Sequence, residues 1–249
     1  MQVVVDSLLT QYEVQGKGKL VVLLHGWGDS SKGMSGLQKT LARQFQVLAV
    51  DLPGFGGTQA PTVVWGLNEY AQFVAHFLKK IDMPQVSLFV GHSNGGAIAI
   101  RGLVKDWLQA DKLVLLASAG IRGEYQGRMK ALRLVTKAGK ALTQPLPKVI
   151  KQKLRKRVYN TIGSDMLVAE HLQETFKKVV TDDVRGDASR LMLPTLLIYG
   201  EEDTVTPIRF GELFHEAIES STLEILPGAG HFVHLDRPAD VSKAIEEFA

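Results

Sequence analysis

Residues 89–96 read Phe-Val-Gly-His-Ser-Asn-Gly-Gly, and the placement of Gly91-His-Ser-Asn-Gly95 constrains this chain more than any other feature. Ahead of it, Val86-Ser-Leu-Phe-Val90 is an apolar run of the kind that makes a buried strand. Behind it, Asn94, Gly95, Gly96, Ala97, Ile98, Ala99 and Ile100 are small or aliphatic, as a tightly packed helix requires. The backbone must therefore turn sharply from strand to helix at Ser93. Glycines flank the serine because the two backbones come too close for a Cβ. Such a turn lifts the hydroxyl clear of the sheet, which makes Ser93 the first candidate for chemistry. Alone, a G-x-S-x-G match is a weak signal, so partners must be found elsewhere in the chain.

The same strand-to-helix step recurs along the sequence. Leu20 to Leu24, Val47 to Val50, Val86 to Val90, Leu113 to Leu116, Thr195 to Tyr199 and Thr222 to Leu226 are apolar, β-branched runs. Leu67 to Ile81 and Ile208 to Ile218 show 3.6-residue apolar spacing between them. Near-continuous apolar strands alternating with helices predict a mostly parallel, twisted sheet covered on both faces. Val3 to Val14 is expected to add an antiparallel hairpin at the sheet edge. At 249 residues, 45% apolar and 22% charged, the chain can bury one large α/β core.

The stretch from Gly120 to Leu193 breaks the alternation and is helical in pattern. Residues 129–142 put Lys130, Arg133, Lys137 and Lys140 on one stripe and Leu132, Leu134, Val135 and Leu142 on the other. Val149, Ile150, Leu154 and Val158 predict a second helix. Leu167, Leu172, Phe176 and Val180 predict a third, with Ser164 as its N-cap. The expected organisation is a core of residues 1–120 and 191–249, with 121–190 as a helical lid. Leu132, Leu134, Val135, Leu154 and Val158 would roof a pocket and favour apolar substrate groups.

A serine hydroxyl is a poor nucleophile unless a base lies within reach and a carboxylate orients that base. The run Thr195 to Tyr199 leads into Gly200-Glu-Glu-Asp203, and Thr222 to Leu226 leads into Pro227-Gly-Ala-Gly-His231-Phe-Val-His234. Both loops follow strands, where parallel sheets build their sites. The order Ser93, Asp203, His231 fits a nucleophile, acid and base set.

These motifs resemble the α/β-hydrolases over nearly the whole chain outside the lid. His25-Gly26-Trp27-Gly28 matches the family's loop after the first long strand, and Asp51-Leu-Pro-Gly-Phe-Gly56 its D-x-P-G-x-G turn. Gly200-Glu-Glu-Asp203 and Gly230-His231-Phe232 match the loops of the acid and base. The resemblance implies Ser93 as nucleophile, Asp203 as acid and His231 as base. It also implies an oxyanion hole made by the main-chain N–H groups of Asn94 and Trp27. The Trp27 and Phe232 side chains would face substrate. Glu201 and Glu202 rival Asp203, and His234 rivals His231, but they are expected to be a solvated strand end and a helix start. His25 and His92 are expected to hold loop geometry, Asp51 to form a turn, and His76, His171 and His215 to be ordinary helix residues.

Haloalkane dehalogenases and epoxide hydrolases of this fold carry Asp at the elbow, and dienelactone hydrolases carry Cys; this chain has Ser93. The His-Gly-Trp-Gly and Asp-Leu-Pro-Gly-Phe-Gly sequences are similar to those of small bacterial carboxylesterases. That resemblance implies cleavage of carboxylic esters, or of thioesters, through an acyl-enzyme, with no metal and no cofactor. Carbon–carbon hydrolysis of meta-cleavage diketones is the alternative, although those enzymes usually carry Trp where this chain has Phe232. A non-catalytic ligand receptor of the same fold is a third reading, against which the intact set of three residues speaks.

There is no cysteine, which excludes disulfides, thiolate nucleophiles and Cys-ligated zinc. With no basic, apolar leader at Met1 and no run long enough for a membrane span, the expected location is cytoplasmic. The net charge of +3 hides an asymmetry. Residues 122–157 hold twelve Lys/Arg and one acid, Glu124, so this stretch is +11 and the remainder −8. Beyond a plain solvated face, such a stretch would suit an anionic membrane surface or an acidic carrier protein. Nucleic acid is not expected, because Tyr125 is the stretch's only aromatic.

Overall fold

The computed structural model describes residues 1–122 and 170–249. Eight strands form one sheet: β1 (Gln2–Val5), β2 (Leu8–Gln15), β3 (Leu20–Leu24), β4 (Gln46–Val50), β5 (Val86–His92), β6 (Ala110–Leu116), β7 (Thr195–Gly200) and β8 (Ser221–Leu226). Their order is β1-β2-β4-β3-β5-β6-β7-β8. The hairpin β1–β2 is antiparallel, and β2 also runs antiparallel to β4. Every other pairing is parallel. The expected strands are all present, each within a few residues of its apolar run.

Both faces of the sheet are covered, which is why the central strands are apolar throughout. Val22 and Leu24 of β3, with Leu48 and Val50 of β4, join the core built around Tyr70, Phe73 and Phe77. The alternate residues Val21, Leu23, Val47 and Ala49 point the other way, into a core with Leu37, Leu41, Val241 and Ile245. The first core is covered by α2 (Leu67–Lys80) and α3 (Asn94–Val104), the second by α1 (Ser35–Leu41) and the carboxyl-terminal helix. In α3, nine of eleven residues are buried. Only a helix made of small and aliphatic residues can pack that closely beneath the turn at Ser93.

Beyond the undescribed stretch the chain resumes with a 3₁₀ turn, Glu170–Leu172, then α4 (Gln173–Val180) and α5 (Arg185–Ala188). After β7 come α6 (Ile208–Ala217), α7 (Val233–Asp236) and α8 (Pro238–Phe248). Gln173–Val180 supplies the later part of the third helix expected in the lid, whereas Ser164, Leu167 and the proposed pocket residues Leu132, Leu134, Val135, Leu154 and Val158 lie outside the described residues. Among the described residues, no helix is long and apolar enough to cross a membrane.

Candidate active site

The parallel strands deliver their carboxyl ends to one side of the molecule, and the three chemically marked residues follow β5, β7 and β8. Ser93 occupies the expected turn, with φ 49° and ψ −116°, a conformation that L-residues rarely hold and that the packing around it must enforce. Gly91 and Gly96 permit it: a Cβ on Gly91 would lie 2.5 Å from the Gly96 Cα. The N–H of Ser93 donates to Leu116 O at 2.9 Å, and its carbonyl accepts from Ala119 N at 3.0 Å. Asn94 opens α3, so its N–H belongs to the helix terminus that has no intrahelical acceptor.

Asp203 is buried and fully hydrogen-bonded. Its Oδ1 accepts from the N–H groups of Val205, at 2.7 Å, and Thr206, at 2.9 Å. Its Oδ2 lies 2.8 Å from His231 Nδ1 and 2.7 Å from the Thr206 hydroxyl. Burial alone would raise the carboxyl pKa, but the hydrogen bond and charge of His231, followed by Thr206, hold it below the usual carboxylate range. The group is therefore ionised at neutral pH. With Nδ1–H donated to Asp203, a neutral His231 keeps Nε2 as its proton-accepting nitrogen.

Thr206 is the site residue that sequence reasoning missed. Its hydroxyl touches Asp203 Oδ2, Ala117 O at 3.0 Å and His231 Nδ1 at 3.1 Å. The signal was present in Asp203-Thr-Val-Thr206, a carboxylate followed three residues later by a hydroxyl, the spacing of a local side-chain turn.

The other singled-out residues fall into place around this pair. Asp51 clamps two loops, accepting from Ser31 N and Gly57 N, each at 2.7 Å. The Leu52 N–H donates to His25 Nε2 at 2.9 Å, which leaves His25 Nδ1–H to donate to Gly26 O at 2.7 Å. Burial lowers the His25 pKa and favours this neutral tautomer. Glu201 and Glu202 are exposed, and Glu201 accepts from Gly228 N. His234 is buried on α7, a separate short turn ahead of the last helix rather than the start of that helix, and among the described residues the imidazole hydrogen-bonded to Asp203 is that of His231. His76 bonds Asp6 and His215 bonds Ser221 on the surface, while His171 is exposed.

Trp27 packs edge-on to Phe55, with ring centroids 4.9 Å apart, and against Phe176 of α4 at 5.1 Å. Leu172 lies on Gly54, Trp65 N donates to Thr175 Oγ1 at 3.2 Å, and Lys178 pairs with Glu69. The described end of the expected lid therefore rests on the loops that follow β3 and β4 and on the first turn of α2. Phe232 is exposed, its ring 5.4 Å from His231 and 5.2 Å from His92.

Residues 21–244 match the model of the Alpha/beta hydrolase family. This chain belongs to that family. Among the hydrolase's relatives is a pimeloyl-[acyl-carrier protein] methyl ester esterase of Nitrosomonas europaea. It is 26% identical, with 91% of this chain and 94% of the esterase covered. Another is the 2-hydroxy-6-oxo-6-(2'-aminophenyl)hexa-2,4-dienoic acid hydrolase of Metapseudomonas resinovorans, 27% identical over 96% of this chain and 87% of that protein. An esterase from Exiguobacterium antarcticum superposes with a TM-score of 0.78 at 21% identity, over 99% and 98% of the two chains, a likeness of fold.

Proposed function

We propose that this hydrolase cleaves carboxylic esters of apolar acyl groups through an acyl-enzyme on Ser93. The observation that carries the reading is the Asp203–His231 hydrogen bond, found together with a serine held in a strained turn after β5. His231 Nε2 takes the Ser93 proton as the hydroxyl oxygen attacks the ester carbonyl, then returns a proton to the leaving alcohol. Asp203 stays ionised, orients the ring and stabilises the imidazolium. The N–H groups of Asn94 and Trp27 donate hydrogen bonds to the developing oxyanion, a contribution worth about 100-fold or more in rate. Water activated by His231 then frees the acid.

The stretch 121–190 acts as a lid in this reading, and the contact of Phe176 with Trp27 supports an apolar roof. The basic stretch 122–157 would meet either an anionic membrane surface or an acidic carrier protein. Esterase relatives such as the Nitrosomonas protein support ester substrates. The Metapseudomonas relative supports a second reading, carbon–carbon cleavage of a meta-cleavage dienoate.

The test is hydrolysis of p-nitrophenyl esters from acetate to dodecanoate, with Ser93→Ala alongside. The expected result is turnover that falls by more than about 1,000-fold in the alanine variant. A folded wild-type protein inert towards every ester, yet active on a meta-cleavage dienoate, would replace the first reading with the second.

A further inference from the structure

Behind His231 lies a set of imidazoles that this chemistry does not use. His92 and His234 are buried, and the His92 ring centroid is 4.9 Å from that of His231 and 4.8 Å from that of His234. His92 Nε2 lies 3.0 Å from the main-chain oxygen of His231, a link between positions 139 apart in sequence. A carbonyl can only accept, so the Nε2 of His92 carries a proton and donates it. Burial first, then the neighbouring His234 and His231, keep the ring neutral, so Nδ1 is the bare nitrogen. That edge has no hydrogen-bond partner among the described residues. It lies against Gly26, where an added Cβ would come within 2.9 Å of His92 Nδ1 and 3.1 Å of Ser93 Cβ.

The ring is thus wedged between the loop after β3 and the loop after β8, one peptide from Ser93. A general base has to be fixed at both ends. Asp203 holds the His231 ring at Nδ1, but a ring held at one nitrogen can still swing with its backbone. The rest of the loop is tied at Ala229 and Gly230, through Glu202 N and Asp236. Among the described residues, the one hydrogen bond to the main chain of His231 itself comes from His92.

We infer that His92 is a positioning residue for acyl transfer: its Nε2–H holds the His231 backbone so that the imidazole meets the Ser93 hydroxyl in register. The inference rests on the roles proposed above for Ser93 and His231. It concerns kcat rather than substrate binding, because a base displaced by about 1 Å can cost on the order of 100-fold in rate.

The variants are His92→Leu, which fills the space without a donor, His92→Gln, whose amide N–H can reach the same carbonyl, and His92→Asn, whose amide is one methylene too short. Each is compared with wild type and His231→Ala for kcat and KM on p-nitrophenyl butyrate. The rate of Ser93 phosphonylation by a fluorophosphonate and the thermal melting of each variant are measured alongside. His92→Leu and His92→Asn are expected to lose about 10- to 100-fold in kcat, with a parallel loss in phosphonylation and KM within about twofold. His92→Gln is expected to recover most of that loss. If His92→Leu does not fold, the Gln and Asn pair carries the comparison. A folded His92→Leu or His92→Asn at wild-type kcat, or a His92→Gln as slow as the other two, would overturn the inference. Wild type inert to both ester and phosphonate, or His231→Ala as fast as wild type, would instead sink the underlying roles of Ser93 and His231.

Discussion

Four hydrogen bonds converge on the Asp203 carboxylate, and they do not all serve the same end. The two from Val205 N and Thr206 N fix the loop; the one from His231 fixes its ring; the Thr206 hydroxyl joins both, with Ala117 O as a second acceptor for its one proton. Asp203→Asn should therefore leave the loop intact, because the amide oxygen still accepts both N–H groups. It would turn an N–H₂ towards His231, force the wrong tautomer and lower kcat by about 10,000-fold. Thr206→Val removes one neutral partner of four. A tenfold fall in kcat and a stability loss of about 1 kcal/mol are expected. Steady-state kinetics and urea unfolding of the two variants check the contrast, and equal damage from both would show that the hydroxyl matters as much as the charge. The places of Ser93, Asp203 and His231 in the fold were legible from the sequence because each sits in a local motif that follows a strand. The His92 link was not, because a side chain meeting a carbonyl 139 positions away leaves no local pattern.

At the scale of elements, the strands were legible because burial on both faces demands unbroken apolar runs. Their ends were less so: Asp111 and Lys112 belong to β6, and Lys112 pairs with Leu88, although nothing in their side chains calls for it. The attachment of residues 182–188 to the core was also hidden, since it depends on charges far apart in sequence. Arg101 of α3 is largely buried and reaches Asn68 at 2.6 Å, Asp187 at 2.5 Å and Asp182 at 3.0 Å. Although burial disfavours the cation, hydrogen bonds to Asp182 and Asp187 raise the Arg101 pKa. Val184 N adds a bond to Gly120 O at 2.8 Å. The helix that carries Ser93 at its start thus anchors residues 182–188 along its side. Arg101→Met keeps the aliphatic stem and strands two carboxylates. It should cost about 1.5–3 kcal/mol and raise amide exchange in residues 173–188 while β3, β5 and β6 stay protected. Uniform loss of protection would mean that Arg101 supports the whole core rather than this attachment.

For the molecule as a whole, convergence of the strand ends packs three neutral imidazoles, His25, His92 and His234, into one buried region. Burial is the main cause that lowers the pKa of each. Unfolding returns these groups to an ordinary value of about 6.5, where they take up protons that the folded state refuses. Below that pH the unfolded chain binds more protons than the native one, so stability must rise with pH and fall on acidification. Each such group contributes a slope of up to about 1.4 kcal/mol per pH unit, from about pH 6.5 down to its own folded value. Urea unfolding at successive pH values below neutrality should therefore show a loss of stability that steepens as the pH falls through about 6.5. His234→Leu removes one of these groups at a position whose ring nitrogens make no hydrogen bond of normal geometry among the described residues, and should flatten the slope. Stability that stays level across the interval from about pH 7 to pH 5.5 would mean that the buried imidazoles protonate in place. The same measurement then bears on His92, whose neutral ring keeps Nδ1 bare against Gly26 while Nε2–H donates to the His231 carbonyl.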